Sequence, residues 1–307
     1  MDPHRVVALA LLMLLSTTAV SARSPAGDFS RGCAAVPLSC APGCAKAIED
    51  ALIACSTAGG GTVQLAPGTY HANDSSWVAD GQAMVILKGL QNVRLQGQTG
   101  SGRIDTPQPD PTATTLLVYG LHGAFALSNC TNVQIVGIQV DMARQPYTYG
   151  QCTAADAGTF TVRFDAAAYP FSPALPWLTK VESVMGFDPV AWRMARAAVD
   201  IYTTGDPYNA TLLGPGLLKV WGGGTGMRIK VGDHYVLRHK VYGPGGVSVR
   251  HSSDVHVEDV TLFSIPGMGF VMGQTHNAHL KHCGVRFRGG LGGRPMSITA
   301  DASHFNE

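Results

Sequence analysis

Residues 252–262 read "SSDVHVEDVTL" and residues 275–287 read "THNAHLKHCGVRF", and the two align with Asp254 over Asn277, 23 residues apart. Each begins with small polar residues and an Asp or Asn, then sets apolar residues at alternate positions. The same pattern stands earlier in "LQNVRLQGQ" from Leu90 and "CTNVQIVGIQV" from Cys130, where Asn92 and Asn132 are 40 residues apart. Alternation of this kind marks strands that bury one face. One coil of a parallel β-helix takes about 20–25 residues, so these spacings are those of one coil or two. The recurring Asn or Asp suits a turn in which a short polar side chain hydrogen-bonds its own backbone. A β-sandwich of many short strands shares the strand lengths but predicts hairpins without a fixed period.

Nearer the N-terminus, "CAKAIEDALIACSTAGGGTVQLAPGTY" spans residues 44–70. Ala47, Ile48, Ala51 and Leu52 recur at helical spacing, which predicts a short amphipathic helix over about 44–55. The glycines at 59–61 end it, and "TVQLAPGTY" alternates as a strand and turns at its Pro-Gly pair. A helix in this place caps the open end of a solenoid, whose core otherwise meets water. The expected fold is therefore all-β: a parallel β-helix with an N-terminal capping helix. Residues 143–231 break the period, being rich in Ala, Pro and aromatics, and read as an inserted small β-domain or as long loops from the solenoid wall. Further coils are expected over 232–307, with two strands joined at Gly232–Asp233. "GGGTG" at 222–226 lacks the Lys-Ser/Thr of a phosphate loop.

Composition agrees. The chain has 307 residues, 37 of them Gly, with 14% charged residues and a net charge of +1. So weak a charge excludes a polyanion-binding face, and no nucleic-acid partner is expected. The N-terminus places His4 and Arg5 before an apolar run from Val6 to Leu15, with Val20 and Ala22 at the −3 and −1 positions of a cleavage site. Residues 1–22 thus read as a signal peptide, too short to span a bilayer, and 23–142 as the cap and first coils. Export to an extracellular compartment suits the seven cysteines, four of which crowd between Cys33 and Cys55. Disulfides are expected there, and at least two among the six from Cys33 to Cys152, with the pairing open. Sequons stand at Asn73, Asn129 and Asn209.

The segment from Gly232 onward resembles a particular family. "GDHYVLRH" at 232–239, "PGMGF" at 266–270 and "ADASHF" at 300–305 are similar to stretches of glycoside hydrolase family 110, the α-1,3-galactosidases. The resemblance implies a right-handed parallel β-helix bearing an inserted β-barrel-like domain. It also implies release of terminal galactose from a glycan or oligosaccharide with inversion, and no metal or cofactor. It makes Asp301 the catalytic candidate. His304, Arg238 and His239 become candidates for substrate binding, and Arg250 and Arg294 are weaker ones for sugar hydroxyls. The family pattern continues past the matched Asp with a paired Asp motif and a Glu, which have no counterpart before Glu307. The expectation is a chain that carries only part of the catalytic site.

Other residues carry less. Asp254, Glu258 and Asp259 are the densest earlier acids and read as turn and surface groups. His276, His279 and His282 are three apart, a spacing that in an uninterrupted strand puts the middle one on the opposite face and disfavours a three-His metal site. Trp77, Trp177, Trp192 and Trp221 suit either sugar stacking or packing. Two other functions remain open: a non-catalytic β-helix that binds glycans, and a polysaccharide lyase or epimerase, which needs basic residues against acidic sugars.

Overall fold

The computed structural model describes residues 29–40, 43–73, 82–100, 110–172, 174–191, 193–196, 200–202, 207–222, 228–240, 242–285 and 304–306. The proposed signal segment, Arg294 and Asp301 lie outside these residues. Among the described residues strands dominate, with one α-helix, Cys44–Thr57. The chain is all-β in class, and its strands form three all-parallel sheets and one antiparallel sheet.

The parallel sheets are filled in rotation. From Gly61–Leu65 in the first sheet the chain passes to Gly68–Ala72 in the second and Ala83–Lys88 in the third. Gln91–Gln96, Thr114–Val118 and Gly123–Ser128 repeat the circuit, and Thr131–Val136 and Ile138–Met142 begin the next. Val247–Arg250 completes that circuit in the third sheet; Ser253–Glu258, Thr261–Leu262 and Phe270–Gly273 make another, and His276–Lys281, Gly284–Val285 and His304–Asn306 the last. Val93 pairs with Val133, Val133 with Val255, and Val255 with Ala278, all in parallel. The 40- and 23-residue spacings are thus strand pairings, and no hairpin of the kind a sandwich requires occurs within these sheets among the described residues.

Alternate residues stack inward. Val63, Leu95, Ile135 and Val257 lie in register and are fully buried. Each buried side chain of this size stabilises by about 1.5–3 kcal/mol relative to exposure. The helix lays Ala45, Ile48, Leu52 and Cys55 against the same core. Two disulfides hold it: Cys33–Cys55 to a strand Gly32–Val36 that pairs in parallel with Gly61–Leu65, and Cys40–Cys44 to the preceding turn. The two disulfides expected at the least among the six cysteines from Cys33 to Cys152 are thus present, and Cys130 and Cys152 are buried thiols.

The corners between sheets depend on left-handed residues. Asn92, Asn132, Asp254 and Asn277 all have φ between 54° and 56°. Each is skipped in the pairing, as Gln91 meets Thr131 and then Val93 meets Val133. A second column at Gly89, Asn129, His251 and Gln274 repeats the geometry at the same spacings. Asn, Asp and Gly tolerate this conformation best, which is why they recur. The side chains do not fold back onto their own backbones as the sequence pattern suggests. Asn132 donates its amide to Asn92 Oδ1 at 2.8 Å, and Asn277 donates to Asp254 Oδ1 at 2.5 Å. Coil is tied to coil.

Between Met142 and Val247 the chain builds the antiparallel sheet of nine strands, with its own core of Tyr147, Phe160, Val162, Val184, Leu218 and Leu237 among others. His234–Arg238, which the sequence pattern assigns to the later coils, belongs here, paired with Tyr147–Gln151 and Ser183–Phe187. Residues 228–231 form no strand, so no hairpin is joined at Gly232–Asp233; Leu217–Trp221 pairs with Thr159–Arg163 and Asn209–Gly214.

The corner account makes a graded prediction. Asn132→Ala loses the bond to Asn92 and puts in the left-handed region a side chain without the polar group that eases Asn there, whereas Asn132→Gly loses the bond but suits the conformation. Denaturant melts should show the Ala variant less stable than the Gly variant by about 1–2 kcal/mol. Equal stability of the two would contradict the role assigned to the corner.

Candidate functional site

The third parallel sheet receives the last strand, His304–Asn306, along its edge, with His304 opposite Val271 and Asn306 opposite Gly273. His304 thereby takes the register position of Val271 and Ser248. The turns that lead into this sheet are packed backbone on backbone. Gly243 N–H donates to Pro266 O at 3.2 Å and Gly246 N–H to Met268 O at 2.9 Å. A Cβ on Gly267 would lie 2.0 Å from Gly243 O, so no side chain fits between the two turns. This is the physical content of the "PGMGF" motif.

Beside these turns lies a cavity of about 480 Å³ lined by Gln82, Tyr242, Ser248, Arg250, Met268 and Val271, among others. Tyr242 is 74% exposed and has φ 53°. A bulky residue in the left-handed region is a genuine outlier, and such strain tends to persist where a side chain is held for use. An exposed phenol ring offers a face to sugar C–H groups, and Arg250 offers fork-like donors to hydroxyls. No carboxylate lines this cavity among the described residues. A larger cavity of about 1100 Å³ is lined by corner residues with Met272, Ala278 and Leu280 of the core, again without an acid.

The other candidates fall as follows. Arg238 is 0% and His239 1% exposed, so neither side chain is placed to touch a dissolved glycan. They sit where the chain enters and leaves the antiparallel sheet. His239 Nε2 meets Thr148 Oγ1 at 2.8 Å and Nδ1 meets Lys180 O at 2.7 Å. Arg144, a residue that sequence reasoning passed over, donates to Thr148 Oγ1, Tyr147 O, Gln145 O and Pro170 O. Its guanidinium lies 5.8 Å from the Trp177 ring centre, and that ring stands edge-on to His239. Burial and the Arg144 charge push the His239 imidazole down to about 3. The "VLRH" stretch is thus a joint between sheets. An Arg followed by Pro and Tyr just after an apolar strand is the only local signal for it.

The earlier acids are surface ties. Asp254 accepts from Asn277, Glu258 pairs with Lys281 at 2.5 Å, and Asp259 lies 3.4 Å from His282. The Lys281 hydrogen bond lowers the Glu258 carboxyl. Glu258, Asp259 and His282 have ligand atoms within 4.8 Å of one another, an exposed grouping of a common kind. The left-handed Asn277 breaks the strict alternation expected of the histidine run, and His276, His279 and His282 are all exposed. His279 stacks on His256 of the preceding coil at 4.8 Å.

No family model matches the chain. It is 25% identical over 280 residues to alpha-1,3-galactosidase B of Akkermansia muciniphila, covering 85% of this chain and 33% of that protein. It is 24% identical over 256 residues to alpha-1,3-galactosidase B of Bacteroides thetaiotaomicron, covering 75% of this chain and 39% of that protein. The chain spans little more than a third of the length of these curated relatives. They support a distant relationship to glycoside hydrolases of this kind.

The buried imidazole has a pH consequence. Unfolded His239 takes a proton below its ordinary value of 6.5, while the folded one stays neutral down to about 3. Its contribution to stability is complete above pH 6.5 and is lost as pH falls toward 3, at about 1.4 kcal/mol per pH unit. His239→Asn should flatten that part of the acid-denaturation profile. An unchanged slope would show that the imidazole is protonated in the fold.

Proposed function

We propose that the protein is a secreted glycoside hydrolase acting on terminal α-1,3-linked galactose of glycans. The observation that carries this reading is the similarity to two α-1,3-galactosidases over most of the chain. The three parallel sheets, filled in rotation, are read as the faces of a parallel β-helix, right-handed because crossovers between parallel strands almost always are. The antiparallel sheet is then an inserted domain, and the helix Cys44–Thr57 the N-terminal cap. Export is supported by the leader-like first 22 residues and by two disulfides.

In this reading the substrate galactose rests in the cleft beside Tyr242, with Arg250 donating to its hydroxyls. Asp301 is the carboxylate of the reaction. Three residues of chain span at most about 11 Å, which keeps Asp301 within reach of the sheet edge at His304. Inverting hydrolysis uses one acid to protonate the leaving oxygen and one base to take a proton from water, about 6.5–9.5 Å apart. The water adds to the anomeric carbon on the face opposite the departing sugar. His304 is proposed to hydrogen-bond the sugar or orient the carboxylate, and Arg294 to bind hydroxyls. Arg238 and His239 hold the joint below the cleft and have no direct part. A second reading, a glycan-binding surface without hydrolysis, is favoured by the absence of an acid among the described cleft residues.

One assay separates the two. The gene product as its natural host makes it is incubated with an α-1,3-linked digalactoside, and free galactose is measured. Hydrolysis is expected, with Asp301→Asn slowing it by about 10²–10⁴-fold at unchanged circular dichroism. Binding without galactose release would favour the second reading. Release unaffected by Asp301→Asn would move the chemistry elsewhere.

A further inference from the structure

The antiparallel sheet carries another cleft, at the opposite end of the strand His234–Arg238 from Arg238. It has a volume of about 570 Å³ and lies where the hairpin of Ser183–Asp188 and Arg193–Met194 meets the start of His234–Arg238. Phe187, His234 and Tyr235 line it with rings, and Arg196, Arg228 and Lys230 line it with cations. His234 is itself stacked on Tyr149 at 5.6 Å, so that wall is fixed.

The three cations are left without direct ion partners. Neither side-chain hydrogen bonds nor ion pairs join Arg196, Arg228 or Lys230 to other described residues. Two acids also line the cleft, Asp188 and Asp233. The Asp188 carboxylate is spent on its own turn, accepting from Val190 N–H and Ala191 N–H at 2.9 Å each. Those two amides hold it below the usual carboxylate range. Three exposed cations against two carboxylates leave this ring-lined cavity with a net positive lining. Guanidinium forks match planar or tetrahedral oxyanions, and a concave site makes such contacts stronger than an open surface does.

We infer that this cleft is a binding site for an oxyanion carried on a sugar, a carboxylate or a sulfate ester, held by Arg196, Arg228 and Lys230 with the ring against Phe187 and His234. The oxyanion part stands on the cleft alone; the sugar part rests on the glycoside hydrolase reading. The site lies in the antiparallel sheet, so it selects which glycans are held and takes no part in bond cleavage.

Ligand-observed NMR titrations with galactose 6-sulfate, galacturonate and galactose test it. The intact protein should bind at least one charged sugar about tenfold or more tightly than galactose, the preferred one identifying the anion. Arg196→Gln/Arg228→Gln should bring that affinity down to the level of galactose, Lys230→Gln should weaken it in part, and raised salt should act in the same direction. Lys219→Gln, an exposed cation on the strand Leu217–Trp221 three places away in the same sheet, should change nothing. Equal affinity for charged and neutral sugars overturns the inference, as does a preference that survives the double substitution. Cleavage of a neutral digalactoside is independent of either result, so failure here is distinguishable from failure of the hydrolase reading.

Discussion

The structure depends on one backbone conformation repeated at fixed corners. A chain that passes from sheet to sheet within two or three residues must turn sharply without leaving a buried amide unpaired. The left-handed residues at Asn92, Asn132, Asp254 and Asn277 make that turn and still let the flanking residues pair. Because the corners superpose, the inward residues superpose too, and Val, Leu and Ile stack in columns. The bonds from Asn132 to Asn92 and from Asn277 to Asp254 lock the register between coils. Slip by one residue would turn every column inside out.

That regularity also makes an interruption tolerable. The antiparallel sheet leaves after Met142 and returns before Val247, yet Val133 and Val255 pair as neighbours across 122 residues. The joint is closed by a buried polar cluster in which Arg144 and neutral His239 share Thr148 Oγ1. A buried cation is costly unless every donor is used, and Arg144 has carbonyl or hydroxyl partners for Nε and both terminal nitrogens. The circuit of the three parallel sheets then resumes with the Gly-rich turns at 243–246 and 266–269, whose tight stacking shapes the cleft beside Tyr242.

Much of this was legible in residue order. Asn92, Asn132, Asp254 and Asn277 announce the coil period because a corner has few acceptable occupants. The helix and its first strand announce themselves by periodicity, observed at Cys44–Thr57 against about 44–55 expected. The antiparallel sheet was legible only as a loss of period, since its pairings join distant segments such as Tyr147 with Arg238. The same distance hid the joint: nothing local to "VLRH" says that Arg144 and Thr148 will bury it. Tyr242 was missed because only its backbone conformation sets it apart from other surface tyrosines. The pairing of Cys33 with Cys55 needed the helix laid across the first strand.

The hydrolase reading and the cleft beside Tyr242 meet in one claim, that terminal galactose is held on the outer side of the third parallel sheet. A crystal structure of the protein with galactose bound tests it most directly. The account predicts galactose density stacked near Tyr242, within hydrogen-bonding distance of Arg250 and alongside the strand His304–Asn306. Galactose bound instead on the first sheet, over the stacked His256 and His279, would contradict it.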